Sequence, residues 1–435
     1  MENKTLDSLY ISKDIEYTTR IDDNLSSLVN FSKSKEQPFQ RWFYYQEGYS
    51  SELIEYLFDY LNVRKNKNPL IFDPFSGSGS TLVASQNNNF RSIGIEINPL
   101  SSFITKTKIG TYDQNDFDFI KSINLPFPEV SENVYDKYEL SIIRKLYSVE
   151  TLSKIELIKV SIAKLPNEKS KLIGKTALLS ILGKVSNYKK GGNGLKKKNF
   201  RKKKNQKFDV YQEFREKVSQ IIDDLRNKKG KSEAIVYNND VREINSLIDD
   251  NSLDLTIFSP PYVNCFDYFE VYKIELWVGE FVSSYKELRS LRKSALTSNL
   301  NADLKRNGSQ ELINSNLLKE YLKELNLSVL WDKRIPKMII LYFLEMQSFL
   351  EVLYKKQKES SSIAIVVGNS AYGGMPVSTD LILSEISENI GFKVKEIIVA
   401  RKNETSSQQY KKIGDMVKYI RESIIILEKQ KNDTS

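Results

Sequence analysis

Leu70-Ile71-Phe72-Asp73-Pro74-Phe75-Ser76-Gly77-Ser78-Gly79-Ser80-Thr81 is the stretch from which the fold of this 435-residue chain can be read. An apolar run ends in an acid and a proline, a serine–glycine turn follows, and Leu82 to Gln86 then carries a helical pattern. Strand, tight turn and helix start, in that order, open an α/β crossover. The glycines let the backbone turn sharply and come close to a ligand, and Gly79 is expected to leave room for one. Ser80 and Thr81 are expected to cap the helix, whose N-terminus favours an anionic group. The turn is not a nucleotide P-loop, because no Lys precedes Ser80 or Thr81, and Leu82 stands where a dinucleotide fingerprint has its third glycine.

Outward from this turn, six more short apolar runs read as strands: Ser92 to Glu96, Ala234 to Tyr237, Leu255 to Phe258, Ile363 to Val367, Lys395 to Val399 and Ser423 to Leu427. The first five of the seven are near-continuous apolar runs, the mark of parallel strands buried on both faces, and the last two suit an antiparallel edge pair. Helical patterns cover Glu52 to Asn62, with Ser51 as its cap, Ile339 to Tyr354 and Thr379 to Asn389. A seven-stranded α/β sheet is expected. Residues 1–38 read as a polar, partly ordered lead-in. Residues 110–232 and 276–335 are too long for simple crossovers and read as mostly helical insertions. The chain therefore divides into 1–109, with the lead-in and the first ligand-binding half, then 110–232, the strand segment 233–275, then 276–335, and the closing part of the sheet, 336–435.

Composition removes several chemistries. There is no histidine, so Ser-His-Asp triads, Cys-His dyads and imidazole zinc sites are excluded, and the one cysteine, Cys265, allows neither an internal disulfide nor a cysteine metal cluster. No metal is expected. The start of the chain has no apolar leader, and Met338 to Tyr354 is interrupted by Glu345, Gln347, Ser348 and Glu351, so no membrane association and a cytoplasmic location are expected. The formal net charge is +9, and 13 Lys or Arg with no Asp or Glu lie between Lys171 and Lys207, which leaves 9 − 13 = −4 for the rest. One strip carries the whole positive excess. Within it, Lys189, Lys190, Lys196, Lys197, Lys198, Arg201, Lys202, Lys203 and Lys204 are candidate phosphate contacts, although a charge run taken alone favours a solvated surface loop.

Carboxylates punctuate the strand ends. Glu96 closes the second strand about twenty residues past the glycines, where an acid can accept from both ribose hydroxyls, and Asp240 follows the third, placed to accept from an adenine amino group. With Asp73, Phe75, Gly77, Gly79, Ser80 and Thr81 at the first strand end, this is a layout for S-adenosyl-L-methionine, whose carboxylate takes the place of a dinucleotide's pyrophosphate. At the end of the fourth strand stands Ser259-Pro260-Pro261-Tyr262. With it the chain resembles the amino-directed DNA methyltransferases, which modify cytosine N4 or adenine N6 on a class I methyltransferase sheet. Asn264 to Tyr268, Gly368 to Gly374 and Arg41 to Ser50 resemble further segments of that family. The insertions do not.

The resemblance implies a reaction in which Ser259 and the Pro260 carbonyl accept hydrogen bonds from the two amino hydrogens of a target base. The nitrogen then pyramidalises and aims its lone pair at the sulfonium methyl. Pro260 and Pro261 would stiffen the turn, and Tyr262 would stack on a base swung out of double-stranded DNA. Ser at the first position resembles the cytosine-N4 enzymes more than the adenine-N6 ones. Cys265 follows Asn264 rather than a proline, so it is read as packing and not as a C5-methylation nucleophile. Tyr268 and Phe269 could line the base pocket, although core packing is the commoner role for each taken singly. Target recognition is expected in the two insertions, and a cognate restriction endonuclease is a candidate partner. The alternatives are adenine-N6 methylation, methylation of an RNA base, or a catalytically silent DNA-binding subunit.

Overall fold

Eight strands hydrogen-bond into one mixed sheet in the computed structural model, which describes residues 5–431 apart from 31–32, 46–47, 66–67, 192–193, 199–207 and 404–412. In chain order the strands are β1 (Thr19–Ile21), β2 (Leu70–Asp73), β3 (Arg91–Ile95), β4 (Tyr188–Gly191), β5 (Gly194–Lys197), β6 (Ala234–Tyr237) and β7 (Leu253–Phe258). They continue with β8 (Gln357–Gly368), β9 (Ser370–Tyr372), β10 (Met375–Val377), β11 (Phe392–Lys402) and β12 (Arg421–Lys429). The sheet runs β1-β11-β12-β8-β7-β2-β3-β6, while β4 with β5 and β9 with β10 form separate hairpins. Only β12 is antiparallel to its neighbours in the large sheet. All seven expected strands are present in this mixed α/β sheet.

The expected count of seven is one short. β1, inside the supposed lead-in, pairs in parallel with β11 through Thr19↔Ile397, Arg20↔Ile398 and Ile21↔Val399. Three residues with no apolar run leave no periodic signal. Backbone pairing with β11, which would otherwise expose an unpaired edge, holds them together with the Arg20–Glu396 ion pair at 2.7 Å. A helix capped by Thr5, Leu6–Glu16, precedes it. β11 is accordingly not an edge strand, although its antiparallel pairing with β12 is as expected.

Alternation along the strands shows why their sequences are apolar throughout. Ile363, Ile365 and Val367 of β8 join Ile425 and Leu427 of β12 in the core under the helices Ile335–Lys356 and Thr379–Ile390. Ala364, Val366, Ile424 and Ile426 point the other way, toward Leu53, Leu57 and Phe58 of the helix Ser51–Tyr60. Ser50, one residue before the expected cap, holds that helix start by accepting from the Leu53 N–H at 3.2 Å.

The first insertion is helical, with helices Val149–Ala163, Glu168–Val185 and Val210–Arg226 as its main bodies. Its buried residues, among them Ile155, Leu178 and Phe214, share one continuous core with Leu82, Leu100 and Ile104 beside the sheet. Asp224, 3 % exposed, ties it to the N-terminal aromatic segment. Its carboxylate accepts from the Phe39 N–H at 3.0 Å, the Trp42 indole N–H at 2.8 Å and the Arg41 guanidinium at 2.5 and 3.1 Å.

Candidate active site

Between β2 and β7 the chain reverses its direction across the sheet, since β2, β3 and β6 build toward one edge and β7 and β8 toward the other. A reversal of this kind leaves a crevice beyond the carboxyl ends of the strands, where the flanking crossovers diverge. Here it is a cleft of about 1000 Å3 of empty volume including its open mouth. Its walls come from Tyr45 and Tyr49, the turn Pro74 to Ser78 with Ser80, Glu96 and Asn98, Asn239 and Asp240, and Ser259 and Pro261. Tyr268, Phe269, Leu296, Ser298 and Asn299 also line it.

The turn after β2 is braced from behind. Asp73, fully buried, accepts from the Phe75 N–H and the Tyr49 hydroxyl, both at 3.0 Å, and burial pushes its carboxyl up to about 6. Thr81 shares the Tyr49 hydroxyl at 2.7 Å, and Ser80 Oγ donates toward Gln40 and the Tyr49 carbonyl at 3.3 Å. Neither residue caps the helix Ser80–Asn87 as expected: its N-cap is Gly79, with φ +84° and no side chain to offer. Nor does Gly79 leave room toward the cleft. A Cβ there would stand 2.8 Å from the Thr105 side chain, so the glycine serves the left-handed turn and its packing on the next helix. Gly77, at φ +49°, is the glycine of this turn that lies on the cleft wall, and a Cβ on it would meet the Tyr45 ring at 3.0 Å. Lys108 Nζ, wholly buried, donates to the Ser78 carbonyl at 2.7 Å, and burial lowers its ammonium to about 7.

Glu96 follows β3 and reaches back to this turn. One carboxylate oxygen accepts from the Gly77 N–H and the other from the Asn98 N–H, each at 2.7 Å. Burial outweighs those hydrogen bonds and raises its pKa to about 7. Each oxygen keeps a further lone pair for a ligand hydroxyl. Asn98 Nδ2, also buried in the wall, has no hydrogen-bond partner among the described residues. Asp240 lines the cleft too, but both of its oxygens accept from the Arg242 guanidinium, and Oδ1 also takes the Arg242 N–H at 2.9 Å. It enters the site as one half of an ion pair.

The turn after β7 brings Ser259 and Pro261 into the same cleft, with Pro260 buried behind them. Ser259 Oγ donates to the Tyr262 hydroxyl at 3.4 Å, and that hydroxyl donates to Glu422 at 2.6 Å. Cys265 lies at φ +62° with its sulfur 3.6 Å from Met338 Sδ and 3.3 Å from the Tyr372 hydroxyl. Burial pushes its thiol up, which suits packing rather than nucleophilic attack. Tyr268 and Phe269 meet both readings: they reach the cleft wall, while Phe269, only 4 % exposed, also belongs to the core and Tyr268 packs against that core.

The basic strip separates into unlike parts. Lys189, Lys196 and Lys197 are exposed on the β4–β5 hairpin, and Lys189 stands directly opposite Lys196. Lys190 is not available to phosphate. Its ammonium pairs with the buried Glu275 at 2.7 Å and lies 3.9 Å from the centre of the Tyr272 ring. Lys198 donates to the Gly183 and Lys184 carbonyls at 2.9 Å, closing a helix end. Arg201, Lys202, Lys203 and Lys204 lie outside the described residues.

Sequence reasoning missed Asn98, Asn239, Leu296, Ser298 and Asn299 in the wall, as well as Lys108 and Glu422 behind it. The loop carrying Leu296 to Asn299 comes from the second insertion. It is held there by the Arg242 and Arg306 guanidiniums, which donate to the Ser294 and Ala295 carbonyls, and by Glu345, which accepts the Thr297 N–H at 2.7 Å. No short motif announces such long-range ties. Among the described residues no cluster of acidic or cysteine side chains could hold a metal, and no helix is long and apolar enough to cross a membrane.

Comparison with known proteins gives a consistent family. The N6/N4 methyltransferase family model, described as DNA methylase, matches residues 11–105. The type II methyltransferase M.AvaI of Nostoc sp. is 31 % identical over 440 residues, covering 94 % of this chain and 89 % of that protein. M.BsoBI of Geobacillus stearothermophilus, also a type II methyltransferase, is 27 % identical, with 92 % of this chain and 88 % of its own covered.

Proposed function

Since this chain belongs to the type II amino-directed DNA methyltransferases, we propose that it transfers a methyl group to cytosine N4 in double-stranded DNA, with S-adenosyl-L-methionine as donor. The observation that carries this reading is convergence: the glycine turn with Glu96, and Ser259 with Pro261 of the tetrapeptide, face one cleft from adjacent strands.

The residues present suit that cofactor. A turn at a helix N-terminus favours its carboxylate, Glu96 offers acceptors for the ribose hydroxyls, and the unpartnered Asn98 amide offers a donor. Asp240 would meet the adenine edge together with Arg242. When bound, the cofactor supplies an electrophilic methyl group. The chain's part is positional. Ser259 Oγ and the Pro260 carbonyl accept from the two hydrogens of the base amino group, and the two prolines limit the freedom of that carbonyl. Tyr262, fixed at its hydroxyl, offers a ring for the extruded base. No covalent intermediate with the protein is needed.

The two insertions are the candidates for target recognition, and the hairpin lysines for phosphate contact. Like charges directly opposite each other cost stability on a hairpin, and a bound phosphate relieves that repulsion at Lys189 and Lys196. A cognate endonuclease and a cytoplasmic location complete the proposal. The choice of cytosine rests on Ser259 at the head of the tetrapeptide. Nucleoside analysis of DNA treated with the protein and labelled cofactor is expected to show N4-methylcytosine. N6-methyladenine alone would transfer the assignment to the other base, and label found only in RNA would overturn DNA as the substrate.

A further inference from the structure

The tetrapeptide turn is connected in series to a buried carboxylate at the start of β12, two strands away in the sheet. Ser259 Oγ donates to the Tyr262 hydroxyl at 3.4 Å, the Tyr262 hydroxyl donates to Glu422 Oε1 at 2.6 Å, and Arg401 Nε donates to Glu422 Oε2 at 2.5 Å. Glu422 is only 3 % exposed. It is paired across the sheet with Arg401 on one side and Gly368 on the other. A Cβ at Gly368 would lie 2.7 Å from Tyr262 Cε2, so the ring rests against that glycine while its tip is held by the carboxylate.

Counting protons gives this chain a direction. An ionised carboxylate held by a guanidinium can only accept. The single proton of Tyr262 is therefore committed to Glu422, and toward Ser259 the phenol oxygen can only accept. The single proton of Ser259 then points to Tyr262, and the serine lone pairs are left facing away from it. A base amino group arrives with two N–H donors and needs acceptors. A serine hydroxyl free to rotate would spend part of its time presenting a proton instead. Low local polarity strengthens each link of such a chain.

We propose that Glu422 is a positioning residue for methyl transfer, fixing the Tyr262 and Ser259 hydroxyls so that the serine is set as an acceptor before the base arrives. This rests on the base-amino reaction proposed above. The test measures labelled methyl transfer to DNA together with cofactor affinity for wild type, Tyr262→Phe, Glu422→Leu, Glu422→Gln and the Tyr262→Phe/Glu422→Leu double variant. Tyr262→Phe keeps the ring and its packing, so it reports even where Glu422→Leu fails to fold. Tyr262→Phe and Glu422→Leu should each lower kcat about ten- to hundredfold, with cofactor Kd changed less than about twofold. The double variant should be no worse than either single one, because the two act through one path. Glu422→Gln, which can still accept from Tyr262, should recover part of the loss. Wild-type kcat in Tyr262→Phe, multiplicative losses in the double variant, or a lowered Tm with unchanged kcat in Glu422→Leu would each overturn the assignment. Absence of methyl transfer by the wild type would instead overturn the functional reading on which it stands.

Discussion

Cofactor affinity is expected to rise steeply with pH through neutrality, and the reason lies in one side chain. Glu96 is buried, and burial raises its pKa from 4.5 to about 7 even though two backbone N–H groups bond its oxygens. The sign follows from which form binds. A ribose hydroxyl is best received by the ionised carboxylate, which predominates only above about 7. With that pKa the competent fraction is about 0.9 at about pH 8 and about 0.09 at about pH 6, so the apparent Kd rises about tenfold on acidification, or about 1.4 kcal/mol. Calorimetric titration of the wild type with S-adenosyl-L-methionine at both pH values measures this. Glu96→Gln is the control, since it cannot ionise: its Kd should be weaker at about pH 8 and nearly flat between the two, after the cofactor's own titration is subtracted. In the free protein the same shift has the opposite sense. The folded state keeps the proton that the unfolded chain has lost, so stability falls as pH rises between 4.5 and about 7. A wild-type Kd profile that parallels the Glu96→Gln profile would refute the assignment of Glu96 as the ribose acceptor.

Lys189→Ala and Lys196→Ala should each reduce the log–log salt slope of DNA binding by up to about 0.9. Lys190→Ala should leave that slope unchanged and lower the Tm, because it strips the buried Glu275 of its partner. Gly79→Val is expected to destabilise the fold by more than about 1 kcal/mol, seen in chemical denaturation, since its φ is +84° and its side chain would run into Thr105. Asp224→Ala should cost about 3 kcal/mol by the same measurement, having removed the shared acceptor of Phe39, Arg41 and Trp42.

Residues whose role is local were legible in the sequence. The strands are legible because burial on both faces demands runs such as Ile363 to Val367, and the turn Asp73 to Ser80 is legible because a left-handed backbone demands glycine. Ser80, Thr81 and Gly79 were misjudged because their environment comes from elsewhere: Tyr49 and Gln40 occupy the two hydroxyls, and Thr105 occupies the space beside the glycine. Lys190 failed for the same reason. Its neighbours in sequence are cations and glycines, and its neighbours in space are Glu275 and an aromatic ring. Charge patterning describes a strip as though all of it met solvent, whereas strand alternation sends Lys189 outward and Lys190 inward.

That alternation also decides how the basic hairpin relates to the cofactor cleft. Lys190 rests on Tyr272, whose ring is stacked on Tyr45 with centroids 5.4 Å apart and planes 2° from parallel. Tyr45 in turn forms part of the cleft wall and lies against Gly77. One column of side chains therefore runs from Lys190 of the hairpin to the glycine turn, crossing the core that the first insertion shares with the helices beside the sheet. An insertion joined in this way is not an appendage that can be removed from a self-sufficient sheet. Its removal would bare Leu82, Leu100 and Ile104 to water and leave Arg41 and Trp42 without the carboxylate of Asp224. The segment that resembles no motif thus backs the wall of the site that the motifs define, although none of its described residues lines the cleft itself.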